Sequence, residues 1–172
     1  MTELGIVGRA PVVELDAAGG ISLLGGSTLL DWWVGADDRW HLASEEPAVR
    51  QALVDDATNV ETRLKIPGGD AVHRVVVVPS NATAVTMIEI QNASPVPVAV
   101  ALVVHVPVGA VAVHGDTVSV NGAPVMRAGR SIARVVVARS IAAARSAVEQ
   151  GEAIPPAELE FPVRGSVVAA IF

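Results

Sequence analysis

The sequence predicts an all-β fold, an antiparallel β-sandwich with one short helix near residues 141–150. Three observations predict it. The chain is 51% hydrophobic but holds only two Phe and no Tyr, so its apolar content rests on Val and Ala, and Val favours strands. Its apolar runs are short and are cut by turn residues at Gly19-Gly20, Gly25-Gly26, Pro67-Gly68-Gly69 and Asn121-Gly122, the punctuation of a strand-rich chain. Where polar residues intervene they alternate with apolar ones, which leaves one face of a strand dry. At 172 residues the chain has the length of a single domain, expected to span 1–172, since a chain of ~150 residues buries about two-thirds of its unfolded surface.

The elements follow in order. Residues 11–15, 21–24 and 28–34 read as short strands separated by the glycine turns. Residues 45–56 are ambiguous: Ser44, Glu45, Glu46 and Pro47 make a helix start, while Val49, Gln51 and Leu53 alternate as in a strand. Residues 59–66, NVETRLKI, place Val60, Thr62, Leu64 and Ile66 on one face and Glu61, Arg63 and Lys65 on the other. Pro67-Gly68-Gly69-Asp70 turns the chain into 71–78, its hairpin partner, and 84–92 form the next strand. Residues 96–113 are apolar apart from His105. Their length approaches that of a membrane span, but Pro97, Pro107 and Gly109 interrupt them and favour two buried strands with a bend near 107–109. Asn121-Gly122 between alternating runs predicts a tight hairpin. Val135 to Ala138 adds a strand. Residues 141–151 are alanine-rich, pair Arg145 with Glu149 at i,i+4 and stop at Gly151, which predicts a helix. Beyond Pro155-Pro156 the chain resumes as strand. It stops inside an apolar run, so it is expected to be the N-terminal part of a longer protein.

Composition narrows the function. The formal net charge is −6, with scattered Arg and the single Lys65, so no basic footprint for nucleic acid or for an anionic membrane is expected. The absence of Cys removes disulfides, thiolate catalysis and thiolate metal sites. The opening MTELGIVGRAP lacks a basic segment followed by an apolar one, so the chain is expected to be cytoplasmic.

Few motifs carry chemistry. Gly20 to Ser27 has the spacing of a phosphate-binding loop, but Gly26 stands where the lysine is needed. The four His (41, 73, 105 and 114) lack ligand spacing, and His105 reads as a core histidine. Asn81-Ala82-Thr83 and Asn92-Ala93-Ser94 match the glycosylation sequon at expected turns and are taken as chance matches. No metal site, cofactor or catalytic residue is assigned. Acid and base pairs at Asp37, Asp38 and His41, or at Asp70 and His73, define a weaker enzyme alternative.

The informative stretch is DWWVGADDRWHL, residues 31–42, which holds all three Trp of the chain. Flat aromatic faces beside carboxylates and Arg are what a sugar site needs, the first for C–H faces and the second for hydroxyls. Trp32, Trp33, Asp37, Asp38, Arg39, Trp40 and His41 are therefore candidate substrate-binding residues for a carbohydrate. On a strand Trp32 and Trp33 point to opposite faces, so at most one of them meets a given ligand. The competing expectation is that the cluster walls the core, since the chain has few other large side chains.

In order, SLLGGSTLLDWW, DWWVGADDRWHL and NVETRLKIPGGDAVHRVVVV resemble the N-terminal β-sandwich of glycoside hydrolase family 15, the glucoamylase and trehalase-like proteins. Asp31-Trp32 stands for that family's DGS-I-DW segment and Asn59-Val60-Glu61-Thr62-Arg63 for its TNVLETRF segment, and the resemblance spans residues 20–105. Where the family places RFDSP, this chain has VGADDRWHL. The resemblance implies a supersandwich-like fold and a non-catalytic domain that supports or borders a carbohydrate site. It also implies a C-terminal helical barrel carrying the acid and base glutamates. The alternative is a freestanding interaction module that forms a homo-oligomer through its strand edges.

Overall fold

The computed structural model describes residues 1–6, 8–23, 29–54, 59–81, 83–106, 110–130, 132–152 and 166–171. The chain is all-β, built mainly of antiparallel strands with one α-helix among the described residues. Along it run β1 (Thr2–Gly5), β2 (Pro11–Leu15), β3 (Ile21–Leu23), β4 (Leu29–Gly35) and β5 (Trp40–Leu42). After a 3-10 turn at Ala43–Glu45 come β6 (Arg50–Val54), β7 (Asn59–Ile66), β8 (Gly69–Ser80), β9 (Thr83–Ala93) and β10 (Ala99–His105). The remainder holds β11 (Val111–His114), β12 (Thr117–Val120), β13 (Ala123–Arg127), β14 (Val135–Ala138), α1 (Ile141–Glu149) and β15 (Ser166–Ile171). Internal contacts divide the chain into two compact units, Met1–Ser27 with Ala36–Val98, and Thr28–Gly35 with Ala99–Phe172.

The first unit is itself a sandwich. An antiparallel ribbon β1-β2-β3 faces the antiparallel sheet β6-β7-β8-β9, with β1 against β8 and β2 against β9. Alternation decides which residues face inward: Val60, Thr62, Leu64 and Ile66 of β7 are buried, as predicted, and Arg63 and Lys65 are exposed. Their cross-strand partners Ala71, His73 and Val75 share the inner face and meet Leu4, Val13, Leu15 and Ile21 in one dry core. Buried polar groups here need partners. The Gln51 amide supplies some, donating to the Asp16 carbonyl at 2.7 Å and to the Thr62 hydroxyl at 3.2 Å, and so ties the two sheets together. Asp16 also closes the Gly19-Gly20 turn, its carboxylate accepting from the Ala18 and Gly20 amides at 2.8 and 2.9 Å.

The ambiguity at 45–56 resolves within its described part as a 3-10 turn followed by strand β6. β6 pairs with β7 in antiparallel register. Tertiary pairing with a strongly alternating neighbour outweighs the local helix signal of Ser44 to Pro47. The Pro67-Gly68 hairpin forms as predicted, with Gly68 at φ +77°.

In the second unit β4 pairs antiparallel with β10, Trp32 opposite Leu102 and Trp33 opposite Ala101. Three consecutive residues of β4, Trp32, Trp33 and Val34, are buried, so both faces of this strand are covered. β11, β12 and β13 form an antiparallel meander turned at Asn121-Gly122. Both turn residues have positive φ, 51° and 80°, the requirement of the primed turns that match strand twist. α1 opens on Ser140, whose hydroxyl accepts from the Ala143 amide at 3.2 Å, and buries Ala144 and Val148 on one stripe. The predicted Arg145–Glu149 pair closes at 2.8 Å.

One pairing departs from the antiparallel expectation. β15 runs parallel to both β10 and β14, lying between them. Parallel neighbours need a crossover rather than a tight turn, and α1, packed on β14 and β15, occupies that connection. The Gly25-Gly26 turn, the second half of the phosphate-loop-like stretch, the bend at 107–109 and Pro155-Pro156 lie outside the described residues. His105, expected in the core, is only partly buried on β10.

Candidate functional site

The seven candidate residues fall into two environments. Trp32 and Trp33 belong to β4 in the second unit and are each 1% exposed. Asp31 fixes the second ring: one carboxylate oxygen accepts from the Trp33 indole N–H at 3.2 Å and the other from the Trp32 amide at 2.7 Å. A buried indole N–H needs such an acceptor, and the i,i+2 spacing places Asp31 on the same strand face as Trp33. The Asp-Trp pair of the family resemblance thus contributes to the core wall. Rings this buried offer no exposed face for a sugar to stack on.

Asp37, Asp38, Arg39, Trp40 and His41 lie in the first unit. The Ala36 amide donates to the Arg39 carbonyl at 3.0 Å, closing a turn over Asp37 and Asp38. Asp37, Asp38 and Arg39 are exposed, Trp40 is half-buried and His41 is 4% exposed. The His41 ring is held on both sides, with Nε2 at 2.9 Å from Asp38 Oδ1 and Nδ1 at 3.1 Å from Glu46 Oε1. A neutral imidazole has one N–H and completes one of these bonds, whereas the imidazolium completes both. Arg39 forms an ion pair with the same Glu46 oxygen, and Asp38 Oδ1 also accepts from the Arg39 amide at 2.9 Å.

These contacts leave both carboxylates poised as anions. The His41 hydrogen bond holds the Asp38 carboxyl below its usual value. The Arg39 guanidinium, with His41 behind it, does the same for Glu46. Both ring nitrogens of His41 face a carboxylate of the protein, so neither is turned toward a substrate. Its role is to pin the base of the turn, while Asp37, Arg39 and the outer part of Trp40 face solvent.

Sequence reasoning missed two participants. Glu46 closes the cluster from beyond the 3-10 turn at Ala43–Glu45, a return that no local periodicity announces. Asp31 was visible only as part of a family motif. The alternative pair Asp70 and His73 is not brought together, because residues three apart on a strand point to opposite faces. Asp70 meets Lys65 at 3.5 Å on the outer face, while His73 is buried on the inner one. The Asn59 to Arg63 segment plays a sheet role, Glu61 receiving Arg63 at 2.6 Å and Arg74 at 2.8 Å. Among the described residues no group of three or more His, Asp or Glu side chains converges as a metal site, and no helix is long and apolar enough to cross a membrane.

No family model, curated protein or solved structure matches the chain.

Proposed function

We propose that the chain is a non-catalytic β-sandwich module of a glycosidase-like protein, with the turn at residues 37–41 bordering a carbohydrate site completed by other parts of that protein. The observation that carries this is the composition and rigidity of the turn. Two exposed carboxylates, an exposed guanidinium and a half-buried Trp sit on a loop whose base is clamped by His41 and Glu46. Carboxylates and guanidinium match sugar hydroxyls, an indole face matches C–H groups, and a loop held in place before binding loses less entropy on binding. The resemblance to the N-terminal sandwich of glycoside hydrolase family 15 supports the same function. It makes a C-terminal helical barrel the partner that carries the chemistry.

Tryptophan fluorescence tests the proposal. Trp32 and Trp33 are shielded, so a saturable change on titration with maltooligosaccharides or trehalose must arise at Trp40, and Trp40→Phe should abolish it. A flat titration, with emission blue-shifted and insensitive to acrylamide, would overturn the sugar-bordering role.

A second function is favoured by a different observation. β9 is the outer strand of its sheet, eleven residues long, and exposes Val85 (44%) and Met87 (55%). Such an edge is a template for another strand, which fits a freestanding module that assembles with copies of itself. The oligomeric state in solution distinguishes the two.

A further inference from the structure

The outer face of the β6–β9 sheet sorts its charges into cross-strand rows. In one row Glu61, Arg74 and Glu89 stand side by side and alternate in sign, bonded at 2.8 and 3.2 Å. In another Lys65 stands opposite Asp70. The row between them breaks the pattern, because Arg50 stands directly opposite Arg63. Like charges facing each other across a strand pair destabilise the sheet. Arg63 turns to Glu61, donating from Nε at 2.7 Å and Nη2 at 2.6 Å, and its Nη1 lies 3.9 Å from Asp70, whereas Arg50 makes no ion pair among the described residues. Among the described residues, four cations on this face (Arg50, Arg63, Lys65 and Arg74) thus oppose three carboxylates (Glu61, Asp70 and Glu89), in a chain whose formal net charge is −6. A recess of about 280 Å³ opens at this point, lined by Ala48, Arg50, Arg63, Lys65 and Asp70.

We propose that this recess binds a phosphoryl group, as free phosphate or as the phosphate of a sugar phosphate. A dianion between Arg50 and Arg63 turns their repulsion into two attractions. The Arg50 guanidinium presents N–H donors in a fork that matches phosphate oxygens, Arg63, whose Nε and Nη2 already meet Glu61, adds its remaining Nη1 donor, and Lys65 adds a point charge. A monoanionic carboxylate satisfies one such fork and leaves the second arginine facing an unchanged neighbour, so the pair favours the more highly charged group. Ala48 adds no charge to the lining, and the Asp70 carboxylate can accept from a P–OH or a sugar hydroxyl. The volume suits a small ligand, just below the range of sites for larger molecules. Arg63 and Lys65 are 49% and 65% exposed, so binding is weak and salt-sensitive, with a Kd of about 1 mM at low ionic strength.

The test is a titration of the full chain with inorganic phosphate at low ionic strength, followed by amide chemical shifts. Saturable shifts are expected at Arg50, Arg63 and Lys65, weakened about tenfold or more by Arg50→Ala. Arg127→Ala, which removes a cation paired with Asp116 in the second unit and absent from the lining of the recess, should leave them unchanged. Arg50→Ala should also melt no lower than the parent in phosphate-free buffer, which separates lost binding from lost folding. A hexose 1-phosphate that binds more tightly than phosphate identifies the sugar phosphate as the ligand, and equal affinity identifies free phosphate. The proposal is overturned if no saturable shift appears, if chloride at matched ionic strength produces the same shifts, or if Arg50→Ala binds like the parent.

Discussion

His73 shows how one buried residue sets a pH dependence. Its ring sits on the inner face of β8, opposite Thr62 of β7 and Ile90 of β9, and burial pushes its pKa down from 6.5 to about 4. The native state therefore holds a neutral imidazole where the unfolded chain takes up a proton. Between pH 6.5 and about 4 the unfolded state binds more protons, so stability rises with pH across that window and falls on acidification. At about 1.4 kcal/mol per unit the whole gap amounts to about 3 kcal/mol. Denaturant unfolding at stepped pH should show this slope, and His73→Leu should flatten it. Asp38, Glu46 and Glu61 act in a lower window. Their carboxyls are held below their usual values of 3.8, 4.5 and 4.5 by His41, Arg39 and Arg74 respectively, so their contributions are present above those values and fade as pH falls through the native ones. At this scale alternation in NVETRLKI made the inward set legible, and the i,i+4 pair of the helix was legible too. The His41–Glu46 closure was not, because it depends on a chain reversal rather than on a period.

Among the elements, the β12–β13 hairpin is the clearest case of sequence dictating backbone. Asn and Gly are the residues that accept positive φ at low cost, and both turn positions require it. A Cβ built on Gly122 meets no atom within 4 Å, so Gly122→Ala carries only backbone strain. It should destabilise the unit by about 1 kcal/mol, while Gly122→Asn should cost less than Gly122→Ala. Equal melting of the alanine variant and the parent would show that the turn relaxes elsewhere. β4 marks the limit of such reasoning. Strand geometry correctly sets Trp32 and Trp33 on opposite faces, yet whether each face is dry depends on what covers it, and both faces are covered. β15 marks a second limit. Its apolar run identified a strand, but parallel and antiparallel pairing draw on the same side chains, and only the α1 crossover distinguishes them.

For the molecule as a whole, the all-β class was legible because short Val-rich runs and Gly or Pro turns agree along most of its length. The proposed carbohydrate role rests on a short-motif resemblance and on the turn at 37–41, whereas the assembly alternative rests on an edge. If the edge acts, light scattering should find a dimer or larger species whose population grows with concentration. Met87→Lys, which sets a charge on the exposed face of β9, should return it to monomer. A monomer at high concentration would remove the assembly function and leave the carbohydrate module.

The order of strands also bears on how the chain is made. In the first unit every pairing joins strands consecutive in sequence, so that sandwich can form early, as its residues leave the ribosome. In the second unit β15 lies between β10 and β14 although it is translated after both. Until Ser166–Ile171 has emerged, β10 and β14 wait with a gap between them, their inner edges open to any strand nearby. Slow synthesis or early release at this point should favour aggregation of the second unit while leaving the first one folded.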